Sequence, residues 1–238
     1  MNGGIDADQS DNAILSSMAD YYDARAEEYD DWWYRRGRYD RGAEERATWL
    51  SEARSVLGEL EGLCLQGDVL ELASGTGIWT ELLVKTATSV TALDSSLRMI
   101  VMNKARVRSE KVTYLRTDLF SWSPSRLYDA VVFCFWLSHV PRQRLEWFAS
   151  AVSRSLSPGG SLFFVDSLRE PTSTAIDHSL PPIGSGVSIR KLNDGREFRV
   201  IKNFYSSSEI GDLFERHGLE VTVSQTPRYF YYGIGKRV

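Results

Sequence analysis

Val69-Leu70-Glu71-Leu72-Ala73-Ser74-Gly75-Thr76-Gly77 is the most informative segment of this 238-residue chain. A short apolar run containing an acid leads into a turn with two glycines and then into the start of a helix. Such a turn lets backbone N–H groups approach a ligand where no Cβ would fit. The segment departs from the dinucleotide fingerprint G-x-G-x-x-G, because Thr80 stands at the third glycine position. Glu71 would repel a pyrophosphate but attract a cationic or hydroxyl-bearing ligand.

Composition limits the classes of partner. The chain is long enough for one α/β domain with additions. A net charge of −4 and a pI near 5.5 argue against nucleic acid as the main partner. No apolar run approaches the roughly 20 residues that span a bilayer, and the first residues do not resemble a signal peptide. We therefore expect a cytoplasmic protein without a membrane partner, either a monomer or a homodimer.

The cysteines and histidines predict no metal site. Cys64 and Cys134 are too few for a disulfide scaffold or a cysteine metal site, and Cys134 lies in an apolar run typical of a core strand. The histidines are scattered without ligand spacing; they are His139, His178 and His217.

Strand and helix patterns alternate along most of the chain. The predicted strands are Asp68–Leu72, Ser89–Asp94, Val112–Arg116, Ala130–Phe135 and Ser161–Asp166. The intervening helices begin near Ile78, Ser96, Arg142 and Ser207, and a closing hairpin follows over Leu219–Ser224 and Arg228–Ile234. This alternation predicts a mostly parallel, Rossmann-like sheet with helices on both faces.

Two segments lie outside this alternation. Residues 1–13 are small and acidic, which predicts disorder. A helical stripe begins near Ile14 and a second helix near Ala43, separated by the aromatic and basic linker Trp32–Arg41. After the fifth strand, residues 170–205 form an insertion with two strand-like runs around Asn193-Asp194-Gly195, which predicts a hairpin. A type I turn with Gly195 in the left-handed position would pair Leu192 with Arg196 and place the following residues on one face: Arg190, Leu192, Phe198, Val200 and Lys202. A two-residue turn would instead move Lys202 to the other face.

Acids at the ends of successive strands mark a binding site, because ligands of doubly wound sheets lie beyond the carboxyl ends of the strands. Asp94 is placed to accept both hydroxyls of a ribose, although capping the next helix together with Ser95 and Ser96 is an alternative. Asp118 suits an adenine amino group and Leu119 the adenine plane. A plain turn role for Asp118 is the alternative.

The E-x-A-x-G-x-G segment resembles motif I of the class I methyltransferases that use S-adenosylmethionine (SAM). That resemblance implies a seven-stranded sheet and a SAM site formed by the following residues: Tyr22, Glu71, Ala73, Gly75, Gly77, Asp94, Ser95, Asp118, Leu119 and Phe135. Methyltransferases use the loop after strand four, here Phe135–Pro141, to line the path from the sulfonium to the acceptor. His139 in that loop could orient or deprotonate an acceptor, or could serve only as a hydrogen-bonded helix entry.

Residues 66–205 are further similar to the phosphonate O-methyltransferases of dehydrophos-type antibiotic biosynthesis. The segments that carry this resemblance are Gly67–Gly77, Val90–Asp94, Asp118–Trp122, His139–Pro141 and the Leu192–Arg196 turn with Lys202 beyond it. The resemblance implies an N-terminal helical lid over residues 14–62 and a SAM-binding domain over residues 63–238. It also implies that basic residues of the insertion bind the acidic group of the acceptor. The substrate residues implied in this way are Tyr29, His139, Arg190 and Lys202; ordinary packing of Tyr22 and Tyr29 and a solvated hairpin are the alternatives.

Together these features predict a SAM-dependent methyltransferase that acts on an acidic oxygen, phosphonate or carboxylate, of a small anionic molecule in secondary metabolism. The alternative within this class is an N- or hydroxyl-directed methyltransferase in which His139 acts as a base. The alternative from another class is a nicotinamide-dependent oxidoreductase or a non-catalytic nucleotide sensor. The aromatic content of the lid suggests an acceptor larger than a minimal hydroxyalkyl phosphonate.

Overall fold

A computed structural model describes the backbone from residue 4 onward and the side chains from residue 13 onward. Its α-helices are α1 (Gly4–Ala24), α2 (Ala26–Trp33), α3 (Ala43–Gly62), α4 (Thr80–Thr86), α5 (Leu97–Val107), α6 (Leu145–Ser155) and α7 (Ser207–Glu215). Its strands are β1 (Asp68–Leu72), β2 (Ser89–Asp94), β3 (Val112–Arg116), β4 (Tyr128–Cys134), β5 (Leu156–Ser167), β6 (Val187–Lys191), β7 (Glu197–Ile201), β8 (Leu219–Gln225) and β9 (Phe230–Arg237).

Seven strands form one sheet in the order β3-β2-β1-β4-β5-β9-β8. The first five strands in this order are parallel to one another, and β9 lies antiparallel between β5 and β8. The predicted Rossmann-like sheet is therefore confirmed. The observed β4 begins at Tyr128, two residues before the predicted start. It ends at Cys134, and Phe135, the last residue of the predicted strand, takes a left-handed φ of 56°.

Apolar side chains cover both faces of this sheet. Alternate residues of the strands point to opposite faces, so β1 supplies Leu70 and Leu72 to one core and Val69 to the other. Near the middle of the sheet, the rings of Phe133 and Phe164 stack with centroids 5.2 Å apart. The near-continuous apolar strands predicted from the sequence thus match a sheet that is buried on both sides.

The N-terminal helices lie over the carboxyl edge of the sheet, but their boundaries differ from the prediction. The single helical stripe predicted from Ile14 is two helices, α1 and α2, which meet at Arg25. Helix α1 begins at Gly4, ten residues before the predicted start. The segment 1–13 is predicted to be disordered. The structure describes a helical backbone for residues 4–13 and an exposed Ala13, and the rest of this segment lies outside the described residues.

The insertion contains the predicted hairpin, formed by β6 and β7. Arg190 pairs with Phe198, and the Leu192 N–H donates to the Arg196 carbonyl at 2.9 Å. Gly195 has a φ of 90°, as the predicted turn requires. The predicted face is confirmed: Leu192 and Val200 are buried against α1, on the side that also carries Arg190. Helix α1 and the hairpin therefore form one wall over the sheet.

In the part of the chain that the structure describes, no helix combines the length and the apolar character needed to cross a membrane.

Candidate active site

The turn after β1 is built from left-handed residues. Ala73, Gly75 and Gly77 have φ angles of 54°, 54° and 91°. The Gly75 N–H donates to Asp94 Oδ2 at 2.9 Å, and the Ser96 N–H donates to Asp94 Oδ1 at 2.9 Å. Asp94 thus joins the glycine turn to the start of α5, where the Ser96 hydroxyl caps the helix. Asp94 therefore supports the start of α5, as the alternative interpretation of this residue predicted, and its carboxylate lies beside the glycine turn.

A first cavity of about 570 Å³ lies beside this turn and is referred to below as the cofactor cavity. It is lined by Tyr22, Tyr29, Ala73, Gly75, Asp94, Ser95, Met99, Asp118, Leu119, Cys134, Phe135, Trp136 and His139. The two carboxylates of this lining, with no lysine or arginine among its described residues, suit a cationic sulfonium and a hydroxylated ribose. A pyrophosphate would meet repulsion here. The residues present therefore fit SAM and not a dinucleotide.

Two of the predicted cofactor residues do not line this cavity. Glu71 is buried and accepts a hydrogen bond from the Thr80 hydroxyl at 2.6 Å. Burial raises the pKa of this carboxyl to about 8. Gly77 packs against α5, since a Cβ there would lie 2.6 Å from Asn103 Oδ1. Both residues support the turn from behind, whereas the sequence analysis placed them in contact with the ligand.

A second cavity of about 590 Å³, referred to below as the acceptor cavity, adjoins the first. It shares four residues with the cofactor cavity: Tyr22, Tyr29, Phe135 and His139. The rest of its lining is Tyr21, Arg25, Trp32, Tyr39, Ser167, Ser173, Thr174, His178, Leu180, Arg190, Lys202 and Phe204. All four predicted substrate residues line this cavity, and the shared residues stand where the two cavities meet.

His139 is held between the lid and the hairpin. Its Nδ1 lies 2.6 Å from the Ile201 carbonyl oxygen, which can only accept, so Nδ1 carries the proton. Its Nε2 therefore accepts the hydrogen bond from the Tyr22 hydroxyl at 2.7 Å. Burial, reinforced by the nearby Lys202 cation, lowers the pKa of His139 to about 3. His139 is thus a neutral, positioned group in the described structure.

Lys202 is buried and already bonded. Its Nζ donates to the Ser138 hydroxyl at 2.8 Å and to Asp166 Oδ1 at 3.3 Å. Burial lowers the pKa of this ammonium, and the Asp166 carboxylate opposes that shift. An ammonium has three donors, so one N–H beyond these two bonds is available to a ligand in the cavity.

Arg190 reaches the cavity from β6 without a carboxylate partner among the described residues. Its Nη1 lies 3.2 Å from His178 Nδ1. Burial and the adjacent Arg190 cation lower the pKa of His178 to about 4, so this ring is neutral, and its Nε2 accepts the Lys191 N–H at 2.9 Å. Sequence patterns do not single out His178, because its place beside Arg190 depends on the loop before the hairpin.

Side chains of the aromatic and basic linker Trp32–Arg41 form hydrogen bonds and an ion pair with other segments of the protein. Arg35 donates to the Thr172 and Ser173 carbonyls at 2.5 and 3.2 Å, and Trp32 Nε1 donates to the same Ser173 carbonyl at 2.9 Å. Arg38 forms an ion pair with Asp177 at 2.6 Å. Arginines of the linker thus attach residues 171–178 to the lid and close one side of the acceptor cavity.

Arg25 and two of the rings around it, Tyr21 and Tyr39, were not predicted from the sequence, whereas Tyr29 was. Tyr21 and Tyr39 line the acceptor cavity together with Arg25. Their positions follow from the meeting of α1 and α2 with the linker, which the helical spacing alone does not show. Both cysteines are free, and no cluster of potential metal ligands occurs among the residues from 13 onward.

A sheet of this order, with a glycine turn and an acid-lined cavity at its carboxyl edge, defines the class I SAM-dependent methyltransferases. A family model described as "Methyltransferase domain" matches residues 35–224, so the chain belongs to that family. The cofactor of this methyltransferase domain is SAM.

Two solved structures of the methyltransferase DhpI resemble the whole chain. The DhpI complex with SAH is 34% identical, covers 95% of this chain and 98% of its own, and has a TM-score of 0.77. The DhpI–SAM–HEP complex is 37% identical, covers 94% of this chain and 97% of its own, and has the same TM-score. The predicted resemblance to dehydrophos-type phosphonate methyltransferases is thereby confirmed.

Curated relatives match a shorter part of the chain. A malonyl-[acyl-carrier protein] O-methyltransferase of Paenibacillus sp. is 36% identical over 141 residues, which are 54% of this chain and 49% of the relative. The chain spans about half the length of the curated relatives it matches.

Proposed function

We propose that this enzyme transfers the methyl group of SAM to an acidic oxygen, phosphonate or carboxylate, of a small molecule. The observation that carries this proposal is the charge of the acceptor cavity. Arg190 and Lys202 line it, and no Asp or Glu does so among the described residues. Anions pair with guanidinium and ammonium groups through strong, charge-assisted hydrogen bonds. The DhpI complex that contains HEP supports the phosphonate arm, and the malonyl-[acyl-carrier protein] relative supports the carboxylate arm.

The chemistry asks for alignment more than for proton transfer. When bound, SAM supplies an electrophilic methyl group on a sulfonium. The protein's part is to hold an acceptor oxygen in line with that methyl, at the boundary lined by Tyr22, Tyr29, Phe135 and His139. A phosphonate or carboxylate is ionised at neutral pH and needs no base.

The alternative is an N- or hydroxyl-directed methyltransferase with His139 as base. The described geometry favours the acidic acceptor, because a histidine with a pKa near 3 is a weak base toward an alcohol or an amine. His139 instead has a proton on Nδ1 and accepts from Tyr22 at Nε2, which suits a group that orients its neighbours.

The first test is label transfer. The purified chain is incubated with methyl-labelled SAM and a panel of small phosphonates, carboxylates, phenols and amines. We expect label in a methyl ester of a phosphonate or carboxylate, identified by mass spectrometry of the product. Label confined to phenols or amines would overturn the proposal and favour a base role for His139.

The second test separates the two subsites. Arg190→Met should raise the KM of the acidic acceptor by about 10- to 100-fold, the loss expected for hydrogen bonds to a charged group. Binding of SAH, measured by calorimetry, should stay unchanged. Lys202→Ala is also expected to weaken the acceptor, but its removal leaves the buried Asp166 without its cation, so Arg190 gives the cleaner result.

Several finer expectations remain proposals. They are the place of the enzyme in antibiotic or other secondary metabolism, its cytoplasmic location and its monomeric or homodimeric state. If removal of the apolar part of the acceptor leaves the rate of methylation unchanged, the suggestion that the aromatic lid accommodates a larger molecule is wrong.

A further inference from the structure

Arg25 lies between α1 and α2, and its buried side chain lines the acceptor cavity. The rings of Tyr21, Tyr29 and Tyr39 surround its guanidinium, with centroids 5.6, 5.0 and 5.7 Å from the central carbon. Cation–π attraction to these rings holds the group in place. It does not neutralise the positive charge.

Most of the hydrogen-bonding capacity of this guanidinium is unused. A guanidinium has five N–H donors, and Arg25 forms one side-chain hydrogen bond within the described residues, from Nη2 to the Tyr39 hydroxyl at 3.2 Å. Its Nε is fully buried without a partner. No carboxylate in the described part of the chain forms an ion pair with it. A buried cation in this condition is costly unless an anion pairs with it.

The charges around the cavity do not balance. Lys202 lines the cavity but is already paired with Asp166, which does not line it. Arg25 and Arg190 remain, and the described residues offer neither of them a carboxylate. Arg25 is buried and Arg190 is half-buried, so an acceptor with one negative charge would pair with one of these guanidinium groups and leave the other without an anion.

We propose that Arg25 is a specificity-determining residue that binds a second negative charge on the acceptor, so that the preferred acceptor is a dianion. This inference rests on the proposed function. The two charges come either from one phosphonate or from two separate acid groups, and the experiment below distinguishes these sources.

A consequence concerns the extent of methylation. An acceptor oxygen forms a bond to the methyl carbon while the electron pair of the broken C–S bond stays on sulfur. The acceptor thereby loses one negative charge and the sulfonium becomes a neutral thioether. The product monoanion leaves one guanidinium unpaired, so it binds more weakly than the substrate. We therefore expect a single methylation, even of a phosphonate with a second ionisable oxygen.

The test compares acceptors that differ by one charge. The pairs are an alkyl phosphonate with its phosphinate analogue at a pH where the phosphonate is a dianion, and a dicarboxylate with a monocarboxylate of the same length. For the wild-type enzyme we expect kcat/KM to be at least about tenfold higher for the dianion of a pair. A preference within the first pair identifies a phosphonate as the source of both charges, and one within the second identifies two acid groups.

The variants are Arg25→Met, Arg25→Lys and the control Arg36→Met. Arg36 also stacks on a tyrosine, Tyr34, at 4.8 Å, but it is exposed and lies outside the cavity. Arg25→Met should lower kcat/KM for the dianion by about 10- to 100-fold and for the monoanion by less than about threefold. Arg25→Lys should restore part of the preference, and Arg36→Met should behave as the wild type does.

Binding of SAH and the melting temperature verify that each variant is folded. If Arg25→Met fails these checks, the comparison is made with Arg25→Lys alone, which keeps the charge but loses the guanidinium donors. Equal losses for both members of a pair, or a wild-type preference for monoanions, would overturn the role of Arg25. Absence of label in every acid with the wild-type enzyme would instead contradict the proposed function.

Discussion

Asp94 has both carboxylate oxygens bonded to backbone N–H groups, yet it faces the cofactor cavity. Burial raises its pKa, and those N–H groups oppose the shift. A carboxylate oxygen has more than one lone-pair direction, so these bonds leave room for a ribose hydroxyl to donate. The predicted cofactor role and the alternative capping role are therefore compatible in one side chain.

Asp94→Asn should weaken SAM binding by about 10- to 100-fold, as expected for the loss of charge-assisted hydrogen bonds. Calorimetric titration with SAM measures the change, and the KM of the acceptor should stay within about twofold. Asp212→Asn, at an exposed position of α7, is the control. Unchanged SAM affinity in Asp94→Asn would remove this residue from the cofactor site.

The low pKa of His139 predicts how the stability of the folded protein changes in acid. Because its pKa in the folded chain is about 3 and its ordinary value is 6.5, the unfolded chain binds more protons between these values. The free energy of unfolding should therefore fall as the pH is lowered from about 6.5 toward 3. In His139→Gln this contribution is absent, so the stability difference between the two proteins should shrink on acidification. Urea titrations at pH 7 and pH 4.5 measure it, and a constant difference would contradict the assigned neutral state.

The same variant tests the chemical role of His139. Glutamine can orient a neighbour by hydrogen bonding but cannot take up a proton. We expect kcat to fall by no more than about tenfold, whereas loss of a general base typically costs 10²- to 10⁴-fold. A loss in that larger range would favour the N- or hydroxyl-directed alternative.

The two lid helices are attached to the cofactor turn by their acidic side chains. Asp30 of α2 accepts from the Thr76 hydroxyl at 2.6 Å and forms an ion pair with Arg106 of α5. Asp23 of α1 accepts from the Ser96 hydroxyl at 2.7 Å. Thr76 belongs to the glycine turn itself, so closure of the lid and order of the turn are linked through these contacts.

Asp30→Ala should therefore speed the release of SAH by about 5- to 30-fold, since one ion pair and one hydrogen bond to a charged group are lost. Stopped-flow tryptophan fluorescence can follow the release, because Trp32 of the lid packs against Phe135, which lines both cavities. Glu61→Ala, which removes an exposed ion pair with Lys85, is the matched control. Equal release rates in both variants would show that the Asp30 contacts do not retain the cofactor.

The sheet as a whole depends on one close approach between β5 and β9. Gly233 lies under the ring of Phe164, and a Cβ at Gly233 would be 2.1 Å from Phe164 Cζ. Phe164 in turn packs on Phe133 and Phe214 of the core. The antiparallel strand β9 can pair with β5 in this register only because residue 233 has no side chain.

Gly233→Ala should lower the free energy of unfolding by about 2–3 kcal/mol through overpacking. Gly58→Ala offers the opposite case, because Gly58 lies in α3 and an added Cβ meets nothing within 4 Å. That change should raise the free energy of unfolding by about 0.5–1 kcal/mol. Urea denaturation of the two variants measures both effects. A similar stability for both would mean that Phe164 moves aside without cost.

The sheet, its parallel strands and the hairpin register could be predicted from the sequence because each depends on local periodicity. Strands β1, β2 and β3 begin and end at the predicted residues. The Asn193-Asp194-Gly195 turn sets the pairing of β6 with β7, and this pairing determines which face carries Arg190. The glycine turn with its acid indicated a methyltransferase, since a pyrophosphate does not suit that charge.

The tertiary structure decided which side chains meet. Glu71 was predicted to contact the cofactor, but the packing of Thr80 behind the turn buries it away from the cavity. Arg25 and His178 were not predicted, because their positions depend on the angle between α1 and α2 and on the loop before the hairpin. The ion pair of Lys202 with Asp166 joins residues 36 positions apart in sequence. Periodicity shows which face of an element is buried, whereas contacts between distant elements follow from how those faces pack together.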